Sequence, residues 1–278
     1  MSIYKLENNI IYVYDKSQFN PKHILECGQV FRFGKDESGN YYVISKDKKA
    51  TIIETENAYE IHSSDPDYFI YYFDLNTDYN AIKNSLKSDA ILSKMIDFGY
   101  GIRILNGDPT EMIFSYIISQ NNHISRIQKI IEKLCAVGTK KDGFYAFPTI
   151  KQLKAQPMEF YSSLGAGYRD KFLKETADTL TDDIVFNSTQ LDTNSLLKWL
   201  NSLKGIGPKV ASCISLFGYS RKDKFPVDTW NEQSYYNHFS KEKRSRPQIQ
   251  AYFESKFKEN SGIAQQYIFY FERETKNK

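Results

Sequence analysis

The stretch "LKGIGPKVASC" (Leu203–Cys213), followed closely by "FPVDTW" (Phe225–Trp230), decides how the rest of the chain is read. Two glycines and a proline sit between apolar flanks. Before them, "SLLKWLNSL" (Ser195–Leu203) has helical spacing; after them, "KVASCISLFGY" (Lys209–Tyr219) has it again. The segment therefore reads as two helices joined by a hairpin. Gly205 and Gly207 permit backbone conformations closed to other residues and allow a close approach. Pro208 suits the first turn of the second helix, where a missing N–H costs nothing. That helix start presents free N–H groups and the positive end of a dipole, which is a phosphate site. The same glycines also serve a purely structural αα-turn.

Lys209 lies in the first turn, where the dipole disfavours an ammonium. Its apolar neighbours Val210, Ala211, Cys213, Ile214 and Leu216 add a desolvation penalty, so a lowered pKa and a nucleophilic amine are expected. The alternative is a surface lysine in contact with phosphate, and periodicity does not separate the two. Asp228 opens a helix. Either it is the cap, or Thr229 caps with Glu232 as a capping box and Asp228 is left free to stabilise positive charge or accept a proton.

Outward from this region, the first sixty residues alternate with period two. "IIYVYD" (Ile10–Asp15), "QVFRFG" (Gln29–Gly34), "YYVIS" (Tyr41–Ser45), "ATIIE" and "AYEIH" read as an antiparallel meander. Helices begin near Asp65, where "DPDYFIYYF" offers an Asp cap and Pro66 at the first position. "DPTEMIFSYIIS" repeats the device with Asp108, Pro109 and Glu111 as a capping box, and "ISRIQKIIEKLCAVG" keeps helical spacing up to a stop at Gly138. The fold class is α+β: an antiparallel β domain with its following helix over 1–76, then a larger all-α domain over 77–278.

The chain has 278 residues, 41% hydrophobic and 15% aromatic, with a net charge of +3, too small to argue for nucleic acid by itself. Lys204, Lys209, Arg221, Lys222 and Lys224, then Lys241, Lys243, Arg244 and Arg246, read either as a basic face or as solvated loops. Three scattered cysteines (Cys27, Cys135, Cys213) exclude a disulfide scaffold and a four-cysteine cluster, and His23, His62, His123 and His238 have no zinc spacing. With no signal peptide and no apolar run long enough for a bilayer, a cytoplasmic protein is expected.

The combination "LKGIGPKVASC…FPVDTW" resembles the helix-hairpin-helix DNA glycosylases with a Gly/Pro-Asp loop, in their lysine-bearing, bifunctional branch. The resemblance narrows to the 8-oxoguanine DNA glycosylase family through "CGQVFRF" (Cys27–Phe33), "GIRILNGDPTEMIFSYIISQNNHISRI" (Gly101–Ile127), "LGAGYRDKF" (Leu164–Phe172) and "GIAQQYIFYF" (Gly262–Phe271), in that order. It implies base excision by base flipping from duplex DNA carrying 8-oxoguanine opposite cytosine, followed by strand nicking. Lys209 matches the Schiff-base lysine and Asp228 the essential aspartate. Gly28 matches the glycine whose carbonyl accepts from N7–H of the lesion. Cys213 and Phe269 match the residues that sandwich the flipped ring, and Gln265 the reader of its pairing edge. Asn121 matches the residue that enters the gap, Arg126 and Arg169 the arginines that hold the orphan cytosine, and Tyr168 the wedge.

Carbonyls around Leu203, Gly205 and Ile206 match a place where members of the superfamily hold a cation beside phosphate; the reaction itself needs no metal or cofactor. A monomer acting at the nucleoid, and a bacterial member trimmed at both ends, complete the expectation. Two departures stand out: Trp230 replaces a histidine, and His123 replaces a third asparagine. Both bear on phosphate and gap contacts rather than on the chemistry. The rival readings are a helix-hairpin-helix glycosylase for another damaged base and a non-catalytic DNA-binding module. Lys209 argues against the alkyl-base enzymes, which usually lack it. The module leaves Asp228, Gln265 and Phe269 without roles.

Overall fold

Alternating burial builds the sheet. In the computed structural model, which describes residues 3–276, strands β1 (Tyr4–Glu7) and β2 (Ile10–Val13) precede a short helix α1 (Pro21–Leu25). Strands β3 (Phe33–Lys35), β4 (Tyr41–Ser45), β5 (Lys48–Glu54) and β6 (Tyr59–Ser63) follow. They form one antiparallel sheet in the order β1-β2-β6-β5-β4-β3. Ile11 and Ile52 both pair with Ile61, and these three, with Val13, Val43 and Ala50, are fully or almost fully buried on one face. The outward residues of the same strands remain partly exposed, which is the period-two pattern of a half-buried sheet.

The expected strand over Gln29–Gly34 is a correction, since only Phe33 and Gly34 of it are extended into β3. The buried Gln29 side chain explains why. Its Nε2 donates to Ile24 O (2.9 Å) and Arg103 O (2.8 Å), and its Oε1 accepts from Leu105 N (2.9 Å). The segment is pinned as a plug between α1 and the helical part instead of joining a ladder. Helix α1 has no counterpart in the sequence expectations. Asn20 caps it by accepting from His23 N, and Pro21 takes the first position.

Helices α2 (Pro66–Tyr72), α3 (Tyr79–Leu86), α4 (Ala90–Phe98), α5 (Pro109–Ser119) and α6 (Ile124–Cys135) come next, then a small hairpin of β7 (Lys140–Lys141) and β8 (Phe144–Tyr145). The series closes with α7 (Ile150–Lys154), α8 (Met158–Ser163), α9 (Arg169–Thr179), α10 (Asp182–Ser188), α11 (Thr193–Ser202), α12 (Pro208–Tyr219), α13 (Thr229–Ser234), α14 (Arg246–Phe257) and α15 (Ser261–Lys276). The Asp-Pro starts behave as local chemistry requires: Asp65 accepts from Tyr68 N and Asp108 from Glu111 N, each at 3.0 Å. Glu111 does not complete a capping box. Its carboxylate is buried against Lys46 N (2.9 Å) and Arg32 (3.4 Å), tying α5 to the sheet. Helix α6 ends at Cys135, and Gly138 lies beyond it, where a Cβ would come within 2.1 Å of Ala146 O.

One apolar core runs from the sheet into the helices. Phe19 meets Phe73 edge-on across this junction at 5.3 Å. Arg103, with no exposed surface, crosses it too, donating to the carbonyls of Phe73, Gln18, Asp74 and Thr77 and lying 4.0 Å above the Tyr79 ring. A buried guanidinium satisfied through carbonyls and a ring face is a rigid tie, because removing it would orphan every acceptor it serves.

Candidate active site

The hairpin shows two glycines used for two different reasons. Gly205 has φ +83°, and a Cβ there would lie 2.4 Å from the Phe172 ring, so both conformation and packing exclude a side chain. Its carbonyl accepts from Gln120 Nε2 at 2.9 Å. Gly207 has φ −90°, ordinary for any residue, and a Cβ there would meet nothing within 4 Å. It is the N-cap of α12, with Pro208 at the first position. Its missing side chain therefore leaves open space over a helix N-terminus. Of the carbonyls matched to a cation cradle, Gly205 O is taken by Gln120 and Leu203 O by Ile206 N (3.1 Å), leaving each a single lone pair. Among the described residues no group of three or more His, Cys, Asp or Glu is placed to hold a metal ion.

Helix α12 delivers Lys209 and, one turn later, Cys213 to a cavity of about 730 Å³. Asp228, Gly28, Gln265 and Phe269 line the same cavity. The structure thus brings together six of the sequence-selected residues from α12, the start of α13, α15 and the loop after α1. Lys209 is exposed to solvent where it lines the cavity. The pKa of Lys209 is raised, a correction to the lowered value expected from the dipole and the apolar flank. The Cys213 sulfur is the largest cause; desolvation opposes it, and the Asp228 carboxylate adds to it. Burial raises the Cys213 thiol in turn. Among the described ion pairs, none joins Lys209 and Asp228 directly.

Asp228 resolves the capping alternatives. It is the N-cap of α13, and its Oδ1 accepts from both Asn231 N and Asn231 Nδ2, each at 2.9 Å. The Thr229–Glu232 box does not form; Glu232 pairs with Arg246 at 2.8 Å. Capping occupies one carboxylate oxygen, and Oδ2 has no donor among the described residues. Asn231, fully buried, is a residue that sequence reasoning misses, although its position three after a capping Asp is a signal.

Helix α15 sets Gln265, Phe269 and Arg273 on one face at steps of four. The Arg273 guanidinium lies 5.2 Å from the Phe269 ring centre and also donates to Glu26 O, which fastens the ring to the loop carrying Gly28. Gly28 has φ +79°, and a Cβ there would sit 3.4 Å from Phe269. Its carbonyl accepts a long 3.4 Å bond from Tyr116 OH, whose shorter bond goes to Gln29 O at 3.2 Å. Gln266 and Arg273 also escape sequence reasoning; their spacing on α15 relative to Phe269 is the available signal.

The remaining selected residues do not line the cavity. Asn121 is exposed in a left-handed turn after α5, with φ +46°. Tyr168 is 58% exposed at the start of α9. Arg126 is exposed and donates to Gly165 O at 3.2 Å. Arg169 is buried: it donates to Ala166 O (2.9 Å), Gln120 O and Asn121 O (3.3 Å), and it lies 4.3 Å from the Tyr168 ring centre. It braces the Asn121 turn. His123 and Trp230, the two departures, both line the cavity. The first basic cluster is not a free basic face. Lys222 is paired with Asp74, Lys224 with Asp223 and Glu254, Lys204 with Glu175, and Arg221 donates to Leu191 O.

The sheet, the helical array and the hairpin together have the architecture of a helix-hairpin-helix glycosylase. A family model for the N-terminal domain of 8-oxoguanine DNA glycosylase matches residues 11–113. The chain is 34% identical to the 8-oxoguanine glycosylase/lyase of Clostridium acetobutylicum, solved with double-stranded DNA containing cytosine opposite 8-oxoG. The superposition has a TM-score of 0.92 and covers 99% of this chain and 100% of that one. A structure of MBOgg1 with a low-affinity DNA ligand gives 32% identity and the same TM-score of 0.92, covering 98% of each chain. The N-glycosylase/DNA lyase of Saccharomyces cerevisiae is 30% identical in an alignment 252 positions long, gaps included, that covers 77% of this chain and 66% of the yeast protein. Shares of 38% and 59% are covered in two further curated relatives. The chain belongs to the 8-oxoguanine DNA glycosylase family. No helix among the described residues is long and apolar enough to cross a membrane.

Proposed function

We propose that this protein excises 8-oxoguanine opposite cytosine from duplex DNA and then nicks the strand, as a bifunctional DNA glycosylase and abasic-site lyase. The observation that carries the reading is one cavity lined by Lys209, Asp228, Gly28, Cys213, Gln265 and Phe269 together. Its volume suits a single flipped base. In this reading the segment 1–76 supplies the Gly28 wall, and 77–278 supplies the chemistry and the grip on DNA.

The flipped ring lies between Cys213 and Phe269. The Gly28 carbonyl, only weakly engaged by Tyr116, accepts from N7–H, a proton that ordinary guanine lacks. Lys209, an ammonium at neutral pH because of its raised pKa, first gives its proton to solvent water. Its amine then attacks C1′ of the sugar, and the bond from C1′ to the base breaks with its electron pair leaving on the base, which takes up a proton. Asp228, held by Asn231 through Oδ1, faces the positive charge that develops on the sugar. Opening of the sugar ring gives a Schiff base. Loss of a C2′ proton with departure of the 3′-phosphate nicks the strand. The open space over Gly207 and the N–H groups of α12 receive a backbone phosphate. Asn121 and Tyr168, exposed at the rim, enter the gap. Arg126, and Arg169 once released from the Asn121 turn, hold the orphan cytosine. Such a substrate places the protein with cytoplasmic, nucleoid DNA.

Borohydride trapping on a duplex with 8-oxoguanine opposite cytosine tests this directly. The expected result is a covalent adduct on the damaged duplex alone, absent in Lys209→Gln, which still binds the lesion. Base release without an adduct would overturn the lyase half. Wild-type cleavage rates in Lys209→Gln would overturn the assignment of the nucleophile.

A further inference from the structure

Gln265 is followed on α15 by a second glutamine, and the two amides are joined. Gln266 Nε2 donates to Gln265 Oε1 at 2.8 Å. Both residues line the cavity, and both are nine-tenths or more buried. The bond has a direction. It turns Gln265 Oε1 toward Gln266 and leaves Gln265 Nε2 without a partner among the described residues. A terminal amide offers a donor and an acceptor that exchange places on a half-turn, so an unconstrained glutamine reads two opposite hydrogen-bond patterns equally well. A glutamine held by a neighbouring donor reads one. The other end of Gln266 supports a role tied to an occupied pocket. Its Oε1 is sealed from solvent with no hydrogen-bond partner among the described residues, an arrangement buried acceptors rarely keep unless something else needs it.

We infer that Gln266 is a positioning residue that fixes the amide of Gln265 in one orientation and so sets which purine edge the pocket accepts. The inference rests on the reading of the cavity as a base pocket given above. The fixed amide presents its Nε2 donor to a ring carbonyl and keeps the second lone pair of Oε1 for the adjacent ring N–H. That pattern fits a 6-oxopurine, with an O6 acceptor beside an N1–H donor. A 6-aminopurine reverses it, with an amino donor beside an N1 acceptor.

The test compares single-turnover base release from duplexes carrying 8-oxoguanine or 8-oxoadenine opposite cytosine, for wild type, Gln266→Met and Gln266→Leu. Melting temperatures identify any variant that is unfolded, and the unbranched Met is retained as the gentler replacement. The expected result is that the 8-oxoguanine to 8-oxoadenine rate ratio falls by about 10-fold to 100-fold in both variants, because the released amide flips to suit either base. Equal slowing of both substrates, or an unchanged ratio in a folded variant, would overturn the inference and leave the base-pocket reading intact. A wild-type protein that releases neither base would overturn the base-pocket reading first.

Discussion

Gly205 and Gly207 stand two residues apart in one hairpin, and the structure requires opposite outcomes when each becomes alanine. At position 205 the backbone is left-handed, which costs an alanine about 1 kcal/mol relative to glycine. The added methyl would also lie 2.4 Å from Cδ2 and 2.5 Å from Cγ of Phe172. The ring is packed between α9 and the hairpin, and forcing it aside is overpacking, about 1–3 kcal/mol. Gly205→Ala therefore loses about 2–4 kcal/mol, a fall of roughly 4–8 °C in Tm for a chain of this size.

At position 207 the backbone conformation is ordinary and the space is empty. Alanine there restricts the unfolded chain by about 0.5 kcal/mol but is a poorer N-cap than glycine by a similar amount, so stability is nearly unchanged. The methyl nevertheless stands over the α12 N-terminus where a phosphate would approach. Gly207→Ala is thus expected to keep its Tm and lose at least tenfold in DNA affinity, with a shallower salt dependence. Urea and thermal melts, paired with fluorescence anisotropy over a salt series, measure both quantities. Equal stability losses in the two variants would refute the reasoning. So would a Gly207→Ala protein that binds DNA as wild type does, because the open space would then have no ligand.

Other outcomes follow from the same geometry. Asp228→Asn keeps an oxygen to cap α13, so its Tm stays within about 2 °C of wild type while base release falls at least 100-fold, whereas Asp228→Ala loses a further ~1 kcal/mol of stability; retained activity in the Asn variant would deny the carboxylate its electrostatic role. Because Lys209 is raised above its ordinary value, the reactive amine fraction grows about tenfold per pH unit, and trapping rates are expected to climb from pH 7 to 9; a plateau at neutral pH would instead show a lowered pKa. His23, packed against Tyr100 and Tyr270, is pushed down to about 4 by burial. The unfolded chain therefore binds a proton between pH 6.5 and 4 that the native state refuses, and stability drops as pH falls through that window. Discounted for partial exposure of the ring, the loss is about 1–2 kcal/mol. Urea melts of His23→Phe between those pH values should lack this component, and an identical loss in the variant would place its source elsewhere.

Features set by local chemistry are legible in the sequence alone. Pro66, Pro109 and Pro208 each open a helix, and Asp65 and Asp108 each cap one, because these preferences are decided within one turn of backbone. Lys209 and Asp228 are candidates from their local setting, whereas Gly28, Cys213, Gln265 and Phe269 are legible only through the family resemblance. The six come from four separate places in the chain, and the local patterns of Cys213 and Phe269 favour plain core packing. The errors share one cause. The helix and flank of Lys209 argue for a lowered pKa, whereas Cys213 and Asp228 outweigh both, and Asp228 arrives through tertiary folding. Arg221, Lys222 and Lys224 look like a basic patch in sequence, but the carbonyl of Leu191 and the carboxylates of Asp74, Asp223 and Glu254 claim them in space. Gln29 has the composition around it of a strand residue, yet its amide finds better partners on Ile24, Arg103 and Leu105 than a ladder would offer.

The residues that the motifs do not select point to how the site is organised. Asn231, Gln266 and Arg273 each hold a neighbour that the resemblance selects: Asp228, Gln265 and Phe269. Arg169 does the same for Asn121 by donating to the carbonyls of its turn. A side chain that must act in one orientation needs its rotamer fixed by something, and the fixing groups lie one to four residues away or across a helix contact. Such groups have no motif, because any donor or ring partner of the right reach serves. The chemistry of the pocket is therefore written in residue types that the resemblance picks out. Its geometry depends on supporting side chains that only this fold brings into register. A substitution at one of those supports would change selectivity or rate while leaving every recognisable motif in place.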